Sequence, residues 1–268
     1  MRIRVPVLFI AVPLAASLVA CGSSSPGPGS TEGGTGGASS GLRLTGSITV
    51  FAAASLTESF TTLGKQFEAA HPGAKVTFNF GASSTLATQI NQGAPADVFA
   101  SASTKNMKDV TDKGNATGSA TFAVNTMEIA VPPSNPGHVT KLADLAKPGV
   151  KVALCQAQVP CGTTAATVFT NAHLTVKPVT READVKATLA KVTLGAVDAG
   201  VVYVTDVKAA GSKVKGITIP DPVNASTAYP IAALKGSKNT AVAAAFVAYV
   251  QSTDGKAVLS AAGFGKPS

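Results

Sequence analysis

The sequence predicts an α/β protein built on a mostly parallel sheet. Two observations carry this. From residue 47 to residue 268, short β-branched or apolar stretches alternate with segments whose apolar residues recur at steps of three and four. The junctions between them are marked by glycine, proline and small hydroxyl residues, which break or cap both kinds of element. A third observation sets the scale: residues 47–268 are enough for one large domain or two lobes.

The elements follow in order. "SITVF" (47–51) reads as a buried strand. Leu56, Phe60, Leu63, Phe67 and Ala70 then mark an amphipathic helix, stopped by "HPG" at 71–73. "KVTFNF" (75–80) is a strand, and Leu86 and Ile90 announce a second helix. "GAPADVFAS" (93–101) holds a turn and a short strand, and 103–114 a polar-faced helix ended by Gly114. "ATFAVNTMEIAVPP" (120–133) is long enough to cross between lobes. The alternation then resumes, with a strand at 151–155, helices at 162–173 and 184–192, and a strand at 198–204. A return strand at 227–236 and closing helices at 239–252 and 254–264 complete the chain.

The N-terminus is of another kind. "MRIR" followed by the apolar "VPVLFIAVPLAASLVA" is a secretory signal pattern over residues 1–20. It is too short, and too interrupted by Pro6 and Pro13, for a comfortable membrane span. The run ends in "LVAC", which resembles the lipobox of bacterial lipoproteins. That resemblance implies lipidation of Cys21, an anchor to the membrane surface and an extracytoplasmic location. Sixteen of the next twenty residues are Gly, Ser or Pro, so residues 21–46 read as a flexible tether, spanning roughly 25 Å by random-coil scaling.

Composition excludes several classes. The formal charge of +8 falls to +6 once Arg2 and Arg4 leave with the signal. The lysines are scattered and aromatics are few, so no nucleic-acid footprint is visible. There is no G-x-S-x-G elbow, and His71, His138 and His173 sit in turns or at a helix end beside no obvious nucleophile, so an enzyme is not expected. No Cys/His spacing suggests zinc. A ferric-ion binder would want close tyrosines, and Tyr203, Tyr229 and Tyr249 are far apart in sequence. With Cys21 lipidated, Cys155 and Cys161 remain as an even pair. A disulfide is the expected state in an oxidising compartment, stabilising by about 2 kcal/mol; two inert buried thiols are the alternative.

Ser55, in "AAASLTESF" (52–60), stands at the seam between the first strand and the first helix. Ligands of α/β sheets bind beyond the carboxyl ends of the strands. Free N–H groups and partial positive charge make a helix start an anion site, although a lone serine there is usually only a cap. The arrangement recurs at Ser83 and Ser84 in "FGASSTL", at Pro160–Cys161–Gly162 before "TTAATVF", and near Val185 in "READVKATL".

"ITVFAAASLTESF", "FGASSTLATQINQGAPADVFASA", "VPCG", "READVKATL" and "GVVYVTD" fall in an order and spacing that resembles the molybdate-binding proteins of bacterial ABC importers. The resemblance covers nearly all of residues 47–268. It implies a two-lobed periplasmic-binding-protein fold of type II, each lobe a mixed sheet flanked by helices, with the ligand in the interlobe cleft. Residues 47–125 and 224–268 would form lobe 1, and residues 126–223 lobe 2. It also implies a site made of the Ser55 and Ser83 hydroxyls and amides, the Cys161 and Val185 amides and the Tyr203 phenol, with Ser84 the neighbour that could be confused with Ser83. Cys161 departs from the family's alanine, but an amide does not depend on its side chain. Asp184 should cap its own helix rather than face a dianion. Such a set is all donors and no lysine or arginine. It suits molybdate or tungstate, and as an alternative sulfate or another tetrahedral oxyanion, over a protonated anion. Molybdenum would enter only as the oxyanion, with no direct protein–metal ligand and no cofactor. The partners implied are this ligand and a membrane permease, and the protein would act as a monomer.

Overall fold

The computed structural model describes residues 43–267. The signal, Cys21 and most of the tether lie outside the described residues. Nine strands alternate with eight α-helices along this stretch.

The chain begins with β1 (Thr45–Ala53), a 3-10 turn (Ala54–Leu56) and α1 (Thr57–Ala70), then β2 (Gly73–Gly81), α2 (Ser83–Asn91), β3 (Val98–Ala100) and α3 (Thr104–Asp112). The long β4 (Ala120–Val131) leads to β5 (Val152–Cys155), α4 (Pro160–Asn171), β6 (Thr180–Glu182), α5 (Val185–Thr193), β7 (Ala199–Tyr203) and α6 (Val204–Ala210). β8 (Lys215–Thr218), β9 (Ser226–Ala233), α7 (Thr240–Gln251) and α8 (Thr253–Ala262) complete it. Strand order is β2-β1-β3-β9-β4-β7-β5-β6, with β8 also on β4.

The sheet is mixed. β1 is parallel to β2 and β3, and β5 to β6 and β7. β9 runs antiparallel to β3 and β4, and β4 antiparallel to β7 and β8. Counting strands alternately with helices overestimates the parallel share, because β4 and β9 carry no direction in their composition. β4 changes partners along its length: Ala120–Thr126 pair with β9, whereas Met127–Val131 pair with β7 or β8.

Both faces of the sheet around β1 are buried, and the strands alternate accordingly. Val50, Val98 and Ile231 face a core shared with Phe60 and Phe67 of α1 and Phe246 of α7. The residues next to them, Phe51, Phe99 and Ala232, face a second core with Leu86 and Ile90 of α2 and Met107 and Val110 of α3. The Phe67 and Phe246 rings meet edge to face at 5.3 Å, the geometry the aromatic quadrupole favours. A separate core gathers Ile129 of β4, Val152 of β5, Val201 of β7, Val168 of α4 and Val192 of α5. The cores on either side of the point where β4 changes partners are thus separate, with β4 running from one to the other.

Several predicted boundaries shift. α2 begins at Ser83, three residues before its first large apolar residue, because a helix start is made by its cap and not by its core face. The strand expected over 198–204 ends at Tyr203, and the unexpected α6 starts at Val204 inside one continuous apolar run with no turn residue to mark the change. β6 (TRE) and β8 (KGIT) carry no apolar alternation and were not anticipated.

Candidate functional site

Five segments deliver their ends to one place. The 3-10 turn after β1 carries Ser55, and the start of α2 carries Ser83. α4 opens with Pro160 in its first turn, where a missing N–H costs nothing, and Cys161 follows. α5 opens at Val185, with the Asp184 carboxylate accepting the Ala187 N–H at 2.9 Å as its cap. Tyr203 ends β7. All five residues proposed from the sequence line a single cavity, with Asp184 beside them. The space open within it is about 20 Å³, slightly more than one water needs, so it suits one compact species of a few heavy atoms.

Among the described residues no lysine or arginine lines this cavity. Its lining is rich in donors, and the one carboxylate in it, Asp184, is turned to cap α5. The opening amides of α2, α4 and α5 have no partner inside their own helices. Ser83 is buried, and its Oγ accepts the Ala102 N–H at 2.9 Å, so its own proton is left to point elsewhere. Ser84 is half-buried and lies outside the lining. The Ser55 Oγ lies 2.8 Å from the Tyr229 hydroxyl. The Tyr203 hydroxyl is fully buried and, among the described residues, meets no partner in hydrogen-bond geometry, although Thr164 and Tyr229 lie near it. Burial, helped by the neighbouring Tyr229, pushes the Tyr203 phenol well above its usual range. It therefore stays protonated, a donor without an acceptor, and such a group costs free energy until something accepts from it.

The Cys161 turn is held tightly. A disulfide joins Cys155, at the end of β5, to Cys161 in the first turn of α4. Gly162 packs so closely on the Gln156 carbonyl that a Cβ there would sit 1.9 Å from its oxygen.

Behind the cavity runs a chain of charges. Lys186, next to Val185, contacts Glu58 of α1 at 2.7 Å and Asp206 of α6 at 3.0 Å. Burial raises the pKa of Asp206, opposed by Lys186. Burial lowers that of Lys186, but Asp206 and Glu58 outweigh it and leave the value raised. Because Asp206 titrates higher folded than unfolded, its ionised form takes stability away at neutral pH, and this cost is relieved as pH falls through the folded value. The other Asp206 oxygen accepts the Tyr203 N–H at 3.1 Å, tying the ion chain to the cavity wall. Glu58 is half exposed, so its pairing is worth about 0–1 kcal/mol. Glu58→Gln is expected to change ligand affinity by less than roughly 5-fold, with the difference vanishing in 1 M salt, as titration at two ionic strengths would read.

Sequence reasoning missed the second layer. Tyr229 and Asn125 stand behind Ser55, yet nothing in the local pattern of "TAYPIAALKG" or "FAVNTMEI" marks them. Distance along the chain also misled: the Tyr203 and Tyr229 rings lie 6.3 Å apart, edge to face, although they are 26 positions apart. Tyr229 is engaged by Ser55 and Asn125, and burial raises both phenols, which disfavours the phenolate a ferric ion would need.

Among the described residues no helix is long and apolar enough to cross a membrane. Residues 48–265 match the family model described as bacterial extracellular solute-binding protein. The chain is 43% identical over 260 residues to a molybdate-binding protein ModA of Mycobacterium bovis, covering 97% of each. It is 34% identical over 236 residues to ModA of Haemophilus influenzae, covering 81% of this chain and 89% of that one. The periplasmic molybdate-binding protein of Azotobacter vinelandii superposes with a TM-score of 0.74 at 24% identity, over 82% of this chain and all of that one. With a family model spanning most of its length and relatives matched nearly end to end, this chain belongs to the bacterial extracellular solute-binding proteins.

Proposed function

We propose that the protein binds molybdate, and tungstate, in the cavity between its lobes and delivers it to an ABC importer. The observation that carries this reading is the chemistry of the cavity: Ser55, Ser83, Cys161, Val185 and Tyr203 surround one small space with donors and no cation. A dianion held by neutral dipoles gains a charge-assisted hydrogen bond at each oxygen. An anion that carries a proton finds little to accept it. The names of the relatives support the same ligand.

The change of partners along β4 at Thr126 and Met127 supports a lobe boundary near residue 126, with the chain returning near 224. Closure of the two lobes over the anion would present the permease with a liganded surface, and the ligand would favour closure by its differential affinity. Cleavage after residue 20, lipidation of Cys21 and the Gly/Ser/Pro tether would keep the domain, acting as a monomer, near the importer on the extracytoplasmic face.

Calorimetric titration of residues 43–268 with molybdate, tungstate, sulfate and phosphate tests the reading. Tight binding of the first two alone is the expected result. Tight sulfate binding would move the protein to a broader oxyanion class. No heat from any of the four, with cooperative unfolding intact, would overturn the reading.

A further inference from the structure

Ser55 and Ser83 are alike as residue types but reach the same end by different means. A serine hydroxyl can donate or accept, and a cavity for a fully deprotonated anion needs it to donate. For Ser83 the direction is fixed by the backbone, since an amide can only donate and the Ala102 N–H points at its Oγ. For Ser55 the neighbour is another hydroxyl, that of Tyr229 at 2.8 Å, and either oxygen could be the donor.

The direction is resolved two steps further back. The Thr126 N–H donates to Asn125 Oδ1 at 3.1 Å, which fixes the orientation of the Asn125 side-chain amide. Its Nδ2 then donates to Thr205 Oγ1 at 2.8 Å and to the Tyr229 hydroxyl oxygen at 3.4 Å. With Asn125 donating to it, Tyr229 has one proton left to place, and Ser55 Oγ, at 2.8 Å, is the partner in hydrogen-bond geometry. The Ser55 proton is then free to point into the cavity that Ser55 lines. Asn125 and Tyr229 are both buried, which holds their contacts in place. Burial also raises the Tyr229 pKa, which keeps its proton in place.

We propose that Tyr229, turned by Asn125, is a positioning residue that sets the Ser55 hydroxyl as an obligate donor to the bound oxyanion. This rests on the oxyanion reading above. The relay starts at a backbone amide of β4, passes through β9 and ends at the turn after β1, so a main-chain group again dictates the direction, as it does at Ser83.

The test is a double-mutant cycle in molybdate affinity, by titration of wild type, Tyr229→Phe, Ser55→Ala and the double variant. Wild-type binding is measured first; its absence would count against the oxyanion reading and not against the relay. Given binding, Tyr229→Phe is expected to weaken it roughly 3- to 10-fold with Ser55 present and less than about 2-fold in the Ser55→Ala background, the non-additivity of residues that act through one contact. A role limited to packing would cost the same in both backgrounds, and that result, or no loss in either, overturns the proposal. Asn125→Ala is run through the same cycle, so that a poorly folded Tyr229→Phe protein, identified by its melting curve, still leaves a decision. It is expected to repeat the pattern, and equal losses in both backgrounds would overturn the proposal in the same way.

Discussion

Tyr203→Phe is expected to weaken molybdate binding by roughly 10- to 100-fold while the ligand-free protein melts at the same temperature or slightly higher. The two effects part because of what the phenol does in each state. Without ligand, its hydroxyl is buried with no partner, so deleting it removes an unmet donor and leaves the ring packed against Tyr229. With ligand, the same hydroxyl would donate to a charged oxygen, a bond worth about 1.5–3 kcal/mol, and each 1.4 kcal/mol is tenfold in affinity. Titration and thermal melting of the one variant give both numbers. Unchanged affinity would remove Tyr203 from the binding set, and a large drop in melting temperature would show that the phenol is satisfied within the fold.

Gly162→Ala is expected to damage both stability and binding. The added methyl would lie 1.9 Å from the Gln156 oxygen and 2.7 Å from its carbonyl carbon, so backbone must move. The obstacle is not the end of a flexible side chain, and the disulfide from Cys155 to Cys161 prevents the turn from swinging clear. Overpacking of this kind costs about 3 kcal/mol, which corresponds to a fall of roughly 6–12 °C in melting temperature at this chain length. The Cys161 amide sits on the displaced turn, so affinity falls as well. Gly118→Ala, where nothing lies within 4 Å, is the matched control and should melt like the wild type. If both variants melt alike, the close approach is not a constraint in solution.

The layer of the site that touches the cavity was legible because it is built from sequence-local grammar. A strand that ends in small residues and a helix that starts with a hydroxyl or a tight turn can be read in a dozen letters, as at Ser55, Ser83 and Cys161. The helices were legible too, since Phe60, Leu63 and Phe67 recur with the period of the face they bury. The second layer was not. Asn125, Tyr229 and Thr205 come from three elements and meet only when β4 and β9 pair. Their residue types carry no local signal, and a tyrosine in an apolar strand reads as core. The mixed character of the sheet was hidden for a related reason: strand direction is decided by long-range pairing, on which the composition of β9 is silent. β6 and β8 escaped because three or four polar residues gain strand geometry from a neighbour and not from their own pattern.

The position of β9 between β3 and β4 has a consequence for the order in which this molecule can be assembled. A chain made from its N-terminus has β1, β2 and β3 complete well before residues 226–233 exist, so the edge of β3 stays open through most of synthesis. The half carrying Ser55 and Ser83 lacks its inner strand until only about the last eighth of the chain remains to be made. By contrast, β5 to β8 and the far part of β4 lie in one uninterrupted stretch and need nothing from either end. Non-local closure of this kind is slow, and an open strand edge invites the wrong partner while it lasts. One side of the cavity can therefore take its native form early, whereas the side with the two serines is finished only when the tail threads back into the sheet.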